Sequence, residues 1–409
     1  MKRVNITYII TYDIKNSTYI YIYMNTKSHK KYNNKTKKTR LCGIPPQDKE
    51  IKATIDKAAI KHNIDTLRKT AKTDIMPVLK ADAYGYGMIE MARVIRNIGV
   101  KYIGVATLGE AIYLRKNGDK GRILAWLYDI DGDDFKDALK LDLDIAICDE
   151  MIIPKFIKMI PPGKKIKVTM FVDTGINRAG ITYEKALEAF VAVSQCPRIE
   201  LVGMMSHLIC SQIKNSPIVN EQLRKFRALR TQLAAIGIVP PLVHIANTRA
   251  CLNYDVSDFT LSRAGGGTYG MPSDKEDKLL KPAMTVTSSI IQLKEVEKGK
   301  GIGYDWKYIT PRKMRIAIVP IGYADILPRT ASLKMYVCIN GTKRKVLGLI
   351  SMDQIVVEAK EKDKLSDIVY IFGNGKNCSQ TIYDLAKWSG SAPYEISCHT
   401  GSRVRRIYK

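Results

Sequence analysis

The chain has 409 residues, 45% of them apolar, and a net charge of +26. That length accommodates two domains or one large one. The apolar share argues against wholesale disorder, and no apolar run approaches the roughly 20 residues that span a bilayer. The eight cysteines are scattered with no C-x-x-C pair, a spacing that suits reduced thiols in a cytoplasm and offers neither a disulfide frame nor a metal site. A diffuse basic surface can attract nucleic acid, but no nucleic-acid motif accompanies the charge, and no specific nucleic-acid partner is expected.

Residues 1 to 46 do not read as part of a fold. Residues 1 to 40 carry ten basic side chains against Asp13 alone. Asn, Tyr, Lys and Thr dominate, with no sustained period beyond Ile6 to Tyr12. The apolar part is broken by Asn5, Thr7, Tyr8 and Thr11, and no small-residue cleavage site follows, so it makes a poor signal peptide. The expectation is a disordered basic tail, or an extension upstream of a later start such as Met24.

From Ile51 the pattern changes. Ala58, Ile60, Ile64 and Leu67 form a helical stripe. Short apolar runs then alternate with helix-length amphipathic segments. The strand candidates are Ile75–Leu79, Tyr102–Ala106, Ile123–Leu127, Ile145–Cys148, Ile166–Val172, Leu201–Ser206, Leu242–Ile245 and Thr260–Arg263. Helix candidates between them include Met88–Ile98, Leu108–Lys116, Tyr183–Val193 and Val219–Ile236. Eight such alternations predict a (β/α)8 TIM-like barrel over residues 47–282. A doubly wound sheet is the alternative, but no G-x-G-x-x-G follows the first strand. After Pro282, strand-like runs separated by Gly, Asn and Pro predict a smaller, mainly β domain over residues 283–409.

Active sites of such barrels lie at the C-terminal ends of the strands, and the notable polar residues fall there repeatedly. Lys80 follows strand one, in Pro77-Val78-Leu79-Lys80-Ala81-Asp82-Ala83-Tyr84-Gly85. Crowded out of water, its amine loses part of its charge preference and becomes a usable nucleophile or base; a lysine snorkelling at a strand end is the plain alternative. Asp173 and Arg178 follow strand five, His207 strand six, Asn247 and Thr248 strand seven. Arg263 and Gly265 close strand eight. Arg263-Ala264-Gly265-Gly266-Gly267 lets backbone amides approach an anion closely, at the usual phosphate position of this fold, and Thr248 could add a hydroxyl. Taken singly, His207 reads as a structural histidine and Arg178 as a solvated one. Tyr304 lies in Gly303-Tyr304-Asp305-Trp306; a tyrosine acts as a base only where nearby cations lower its pKa.

Together these motifs resemble alanine racemase, a pyridoxal-phosphate enzyme with a barrel followed by a β domain. The match runs from about Ile51 to the C-terminus. It rests on Val78–Gly85, Asp173-Thr174-Gly175 with Arg178, Ser206-His207, Ala246-Asn247-Thr248, Arg263 with Gly265, Gly303-Tyr304, Pro320–Asp325 and Ser351-Met352-Asp353-Gln354. The resemblance implies that Lys80 attaches pyridoxal 5'-phosphate and is one of two bases. Tyr304 from the partner of a homodimer is the other, with His207 orienting it. Two bases are needed because racemisation removes the α-proton from one face and returns it on the other. Arg178 would sit beside the cofactor's phenolic oxygen and the substrate. Arg263 would face the ring nitrogen, which stays unprotonated because an arginine does not readily give up its proton. Tyr84, Asn247, Thr248, Gly265 and Gly266 would hold the cofactor's phosphate end, and Met352 and Asp353 of the partner would line the substrate mouth.

Three positions depart from the family pattern. Phe171 stands where the family often has a carbamylated lysine bridging to the arginine. Ser402 aligns with the family's C-terminal phosphate tyrosine. Tyr86 replaces a common histidine and reads as supporting the site from behind. The implied reaction is interconversion of L- and D-alanine in the cytoplasm, supplying cell-wall peptide. Racemisation of serine or a wider set of amino acids is the alternative that Phe171 suggests. A non-catalytic pyridoxal-phosphate protein would lack the β domain and Tyr304, and a barrel decarboxylase would carry a late catalytic cysteine in an acidic context that neither Cys338 nor Cys378 has.

Overall fold

The computed structural model describes residues 6–14, 17–24, 51–271, 279–373 and 380–409. It divides into two units, 1–43 and 44–409. In the first, Ile6–Ile14 and Ser17–Met24 pair as an antiparallel hairpin, with Ile6 opposite Met24 and Ile14 opposite Ser17. Alternating Ile, Thr and Tyr supply the β-branched and aromatic residues that a pleated ribbon favours. The sequence reading expected a structureless tail here; residues 25–46 lie outside the described residues.

The second unit holds the expected eight parallel strands. They are β1 (Asp74–Pro77), β2 (Tyr102–Thr107), β3 (Arg122–Leu127), β4 (Asp144–Ile147), β5 (Ile166–Asp173), β6 (Ile199–Met205), β7 (Leu242–His244) and β8 (Leu261–Ala264). Strands β2 to β7 pair in sequence order, and β8 pairs with β1. Two seams close the ring. Leu79 N donates to Gly104 O at 2.8 Å beyond the end of β1, and Arg263 N donates to Ala246 O at 2.9 Å beside β7. The TIM-like barrel is therefore borne out. Met76, Leu124, Ala146, Phe171, Met205 and Leu261, from six different strands, pack together as an apolar layer inside it, so the barrel is a filled core and not a pore.

Helices α1 (Lys57–Ala71), α2 (Met88–Asn97), α3 (Leu108–Lys116), α4 (Asp133–Ala138), α5 (Ile153–Met159), α6 (Tyr183–Ser194), α7 (Pro217–Ala235) and α8 (Thr248–Asn253) alternate with the strands. Helix α1 starts where Asp56 accepts the Ala59 amide and stops at Lys72 in the left-handed region. Its buried stripe is Ala59, Ile60, Ile64 and Leu67; Ala58 faces outward, one residue off the expected stripe.

Among the described residues, the β domain is built on a nine-stranded sheet, with a small antiparallel pair, Gly301–Ile302 and Tyr308–Ile309, on either side of Tyr304. The sheet's strands are β9 (Met284–Ser289), β10 (Gln292–Val296), β11 (Met314–Val319), β12 (Tyr336–Ile339), β13 (Thr342–Leu347), β14 (Ile355–Glu358), β15 (Ile368–Phe372) and β16 (Arg405–Tyr408), in the order β10-β11-β14-β13-β12-β15-β9, followed by Lys52–Ile55 and then β16. Lys52–Ile55 pairs antiparallel with β9 and parallel with β16. The sequence reading places the barrel over residues 47–282; Lys52–Ile55, inside that range, pairs with the β sheet. The two domains are stitched by a strand that precedes the barrel in the chain. Inside the sheet, Arg344 and Asp363 form a buried ion pair, 1% and 0% exposed. Helices α9 (Ile382–Ser389) and α10 (Pro393–Cys398) bring the chain back toward the barrel mouth. No helix among the described residues is long and apolar enough to cross a membrane.

Candidate active site

A cavity of about 720 Å³ opens at the C-terminal ends of the barrel strands. Lys80, Tyr84, Arg178, His207, Asn247, Thr248, Arg263, Gly265 and Gly266 all line it. The strand ends that position these residues are spread from β1 to β8, and only ring closure brings them to one place.

Lys80 enters the cavity from an unusual turn. Ala81, Asp82, Ala83 and Tyr84 all have left-handed backbones, with φ of +52, +52, +57 and +56°. Non-glycine residues pay about 1–2 kcal/mol each for that region. Ala83 N donates to Leu79 O and Gly85 N to Ala81 O, at 2.9 and 3.0 Å. From outside the turn, Glu110 Oε1 accepts the Ala81 amide at 2.7 Å. Burial lowers the Lys80 pKa, and the nearby Arg178 charge lowers it further, against smaller opposing effects of Cys398 and Glu110.

The same cavity has an end rich in hydroxyls and glycine. A Cβ on Gly265 would fall 2.5 Å from the Tyr84 hydroxyl, and one on Gly266 would fall 2.6 Å from Met271 O. Thr248 Oγ1 accepts the Gly267 amide at 3.2 Å. Asn247 acts as the cap of α8: its Oδ1 accepts the Arg249 and Ala250 amides and the Ser211 hydroxyl. Glycines with no room for a side chain, beside converging hydroxyls, make a cradle for a phosphate.

Arg263 sits on β8 at the cavity floor, 5% exposed. Its Nη1 donates to His244 Nδ1 at 2.7 Å and to His244 O at 2.9 Å; its Nη2 donates to Ser206 O and to His207 Nδ1, the latter at 3.3 Å. Guanidinium nitrogens only donate, so both imidazoles accept at Nδ1 and carry their proton on Nε2. Burial, then the charges of Arg263, Arg178 and Lys80, push His207 down to about 3. Burial likewise lowers Arg263 to about 10, still far above neutrality.

Arg178 follows a turn in which Asp173 Oδ1 accepts the Gly175 and Ile176 amides, at 2.8 and 2.9 Å. Phe171 lines the same cavity and belongs to the apolar layer inside the barrel, so it supplies Arg178 with no anion. Tyr304, Met352 and Asp353 are not in this cavity. They lie on the exposed surface of the β domain, with Tyr304 at 64% and Met352 at 51% exposure.

Two family models match the chain: "Alanine racemase, N-terminal domain" over residues 55–273 and "Alanine racemase, C-terminal domain" over residues 283–408. The chain belongs to the alanine racemase family. It is 33% identical to the alanine racemase of Thermobifida fusca, covering 87% of this chain and 97% of that one. It is 34% identical to that of Desulforamulus reducens, covering 88% and 98%. Among solved structures, the alanine racemase of the D-cycloserine producer Streptomyces lavendulae superposes with a TM-score of 0.83 at 31% identity, covering 89% and 98%. The enzyme of Bacillus anthracis with bound L-Ala-P does so with 0.81 at 27% identity, covering 89% and 96%.

Alanine racemases use pyridoxal phosphate, and the residues lining the cavity fit it: the Lys80 amine, a glycine and hydroxyl cradle, and the Arg263 guanidinium. The sequence reading missed three residues. His244 lies inside β7 and declares itself only by holding Arg263. Tyr394, from α10, lines the cavity with its ring against Gly266. Ser402, which the sequence reading leaves out of the site, is exposed and outside the cavity. Cys398, also from α10, faces the cavity as well, with its thiol pKa raised by burial and pulled the other way by Lys80. Tyr86 is buried and packs on Tyr269, ring centroids 4.5 Å apart and planes tilted by 37°.

Proposed function

We propose that the chain interconverts L- and D-alanine by a two-base path in which Lys80 and Tyr304 flank the α-carbon. The observation that carries the reading is a single cavity joining a desolvated lysine, a phosphate cradle and a proton-holding arginine. Bound pyridoxal phosphate supplies the electron withdrawal that makes the substrate's α-proton removable.

The chain's own residues do the rest. Lys80, its charged form disfavoured by burial and by Arg178, would hold the cofactor and move a proton on one face of the α-carbon. Tyr84, Thr248, Gly265 and Gly266 bind the phosphate, with Asn247 fixing the helix that carries Thr248 and Tyr394 closing the same end. Arg263 keeps its proton and, facing the ring nitrogen of the bound cofactor, would leave that nitrogen without one. Because Arg263 occupies His207 Nδ1, the histidine presents Nε2–H outward, as a donor that can orient a phenol oxygen. Arg178 receives the substrate carboxylate.

The second base comes from another copy of the chain. That Tyr304 is exposed and outside its own cavity supports a homodimeric catalytic unit, in which Tyr304 of the partner subunit would face Lys80. Met352 of the partner subunit and Asp353 of the partner subunit line the mouth. The protein acts in the cytoplasm, and its D-alanine supplies cell-wall peptide. A cofactor-binding protein without catalysis would need neither the β domain nor the exposed Tyr304.

The deciding test is conversion of L-alanine to D-alanine by the purified protein resupplied with pyridoxal phosphate, with Lys80→Ala beside it. Conversion should be lost in the variant. Conversion that survives would remove Lys80 from the chemistry.

A further inference from the structure

The least probable stretch of backbone in the barrel, the four left-handed residues 81–84, immediately follows the lysine on which the proposed chemistry depends. Such conformations persist only where the surroundings over-determine them. Part of the restraint is local, from the turn's own hydrogen bonds and from Glu110. The rest comes from the other end of the chain.

Arg406 lies on β16, at the edge of the β-domain sheet, directly opposite Ala53. Its Nε donates to Gly85 O at 2.7 Å, and its Nη2 donates to Thr400 O and pairs with Asp82 Oδ2, both at 3.1 Å. Two residues on, the Tyr408 hydroxyl donates to Tyr86 O at 2.6 Å. One arginine thus grips both the acid inside the left-handed run and the carbonyl that ends it, with a second grip from Tyr408. There is no slack at the contact: a Cβ on Gly85 would lie 1.8 Å from Ser397 O, and one on Gly87 would lie 2.2 Å from the Tyr408 hydroxyl.

We propose that Arg406 is a positioning residue for the active site: it clamps the left-handed turn from the C-terminal strand and so aims the Lys80 amine into the cavity. The guanidinium fork suits this task, because its planar donors satisfy a carbonyl and a carboxylate at fixed angles, which an ammonium cannot do. Without the clamp the turn relaxes toward ordinary backbone regions and swings the bond from Lys80 Cα to its side chain. Misplacements near 1 Å at a reacting group cost on the order of 100-fold in rate. The proposal rests on the reading of Lys80 as the cofactor lysine.

The test uses the full-length holoenzyme. Arg406→Ala should weaken pyridoxal-phosphate affinity at least about tenfold, alter the visible absorption band of the bound cofactor, and lower kcat more than it raises KM. Arg406→Lys, which keeps the charge beside Asp82 but not the fork, should restore part of the affinity. Ile407→Ala serves as the control: it disturbs the same strand but not the turn, and should lower thermal stability while leaving cofactor affinity unchanged. Wild-type affinity and absorption in Arg406→Ala would overturn the proposal, as would an equal loss of cofactor in Ile407→Ala. If Arg406→Ala does not fold, Tyr408→Phe decides: weaker cofactor binding supports the clamp, and unchanged binding overturns it. Peptide mapping after borohydride reduction tests the underlying assignment separately. A label on a lysine other than Lys80 would defeat the active-site reading itself.

Discussion

Arg263 sets the protonation of its neighbours because a guanidinium can only donate. Burial holds His207 neutral, the Arg263 charge adds to it, and Arg263 donating to Nδ1 leaves the proton on Nε2. The stability consequence has a definite sign. Between about pH 3 and pH 6.5, the unfolded chain binds a proton at His207 that the folded chain does not. Stability therefore rises with pH through that window and is unaffected by this group above it. His244, lowered in the same direction by burial and by Arg263, adds to the trend. The melting temperature should climb as pH is raised from 4 to 6.5, and His207→Gln should flatten part of the climb. An unaltered slope in the variant would show that His207 is protonated in the folded protein. The motif around His207 was visible in the sequence. Its protonation state was not, because it depends on Arg263, which is 56 residues away in the chain.

At the scale of elements, the strands were the most legible feature. Each barrel strand is a short apolar run bounded by turn residues, and burial on both faces demands that composition. Inside the β domain, by contrast, Arg344 occupies an inward strand position and pairs with Asp363 from a neighbouring loop. Arg344 donates to both Asp363 oxygens, at 3.1 and 3.2 Å, and Asp363 also accepts the Lys360 amide at 2.8 Å. Removing one member of such a pair leaves the other charge buried and uncompensated. Asp363→Ala should therefore destabilise the protein by about 3–5 kcal/mol, seen as a lower urea midpoint. Replacing both residues with apolar ones should cost much less, and a double variant no better than the single would show that packing, not the orphaned charge, is responsible.

At the scale of the whole molecule, the proposed function draws on two subunits. Lys80 and the cradle lie in the barrel cavity, whereas Tyr304 is exposed on the β domain. Mixing Lys80→Ala and Tyr304→Phe subunits should regenerate activity from two inactive preparations. Statistical exchange makes half the dimers mixed, each with one intact site, so about a quarter of wild-type activity is expected. No recovery after verified subunit exchange would place both bases in one chain.

The sequence by itself determined the barrel, the β domain and the residues at the strand ends, because hydrophobic period and turn chemistry are local properties that a reader can follow along the chain. It did not reveal which distant segment buries which face. Only the tertiary structure decided that Lys52–Ile55 completes the β sheet, that α10 brings Tyr394 and Cys398 into the cavity, and that Arg406 grips Gly85 from 321 residues away. The left-handed turn after Lys80 belongs to the same class. Nothing in Ala-Asp-Ala-Tyr favours that backbone on its own, and it is held by contacts from elsewhere in the chain that no local pattern encodes.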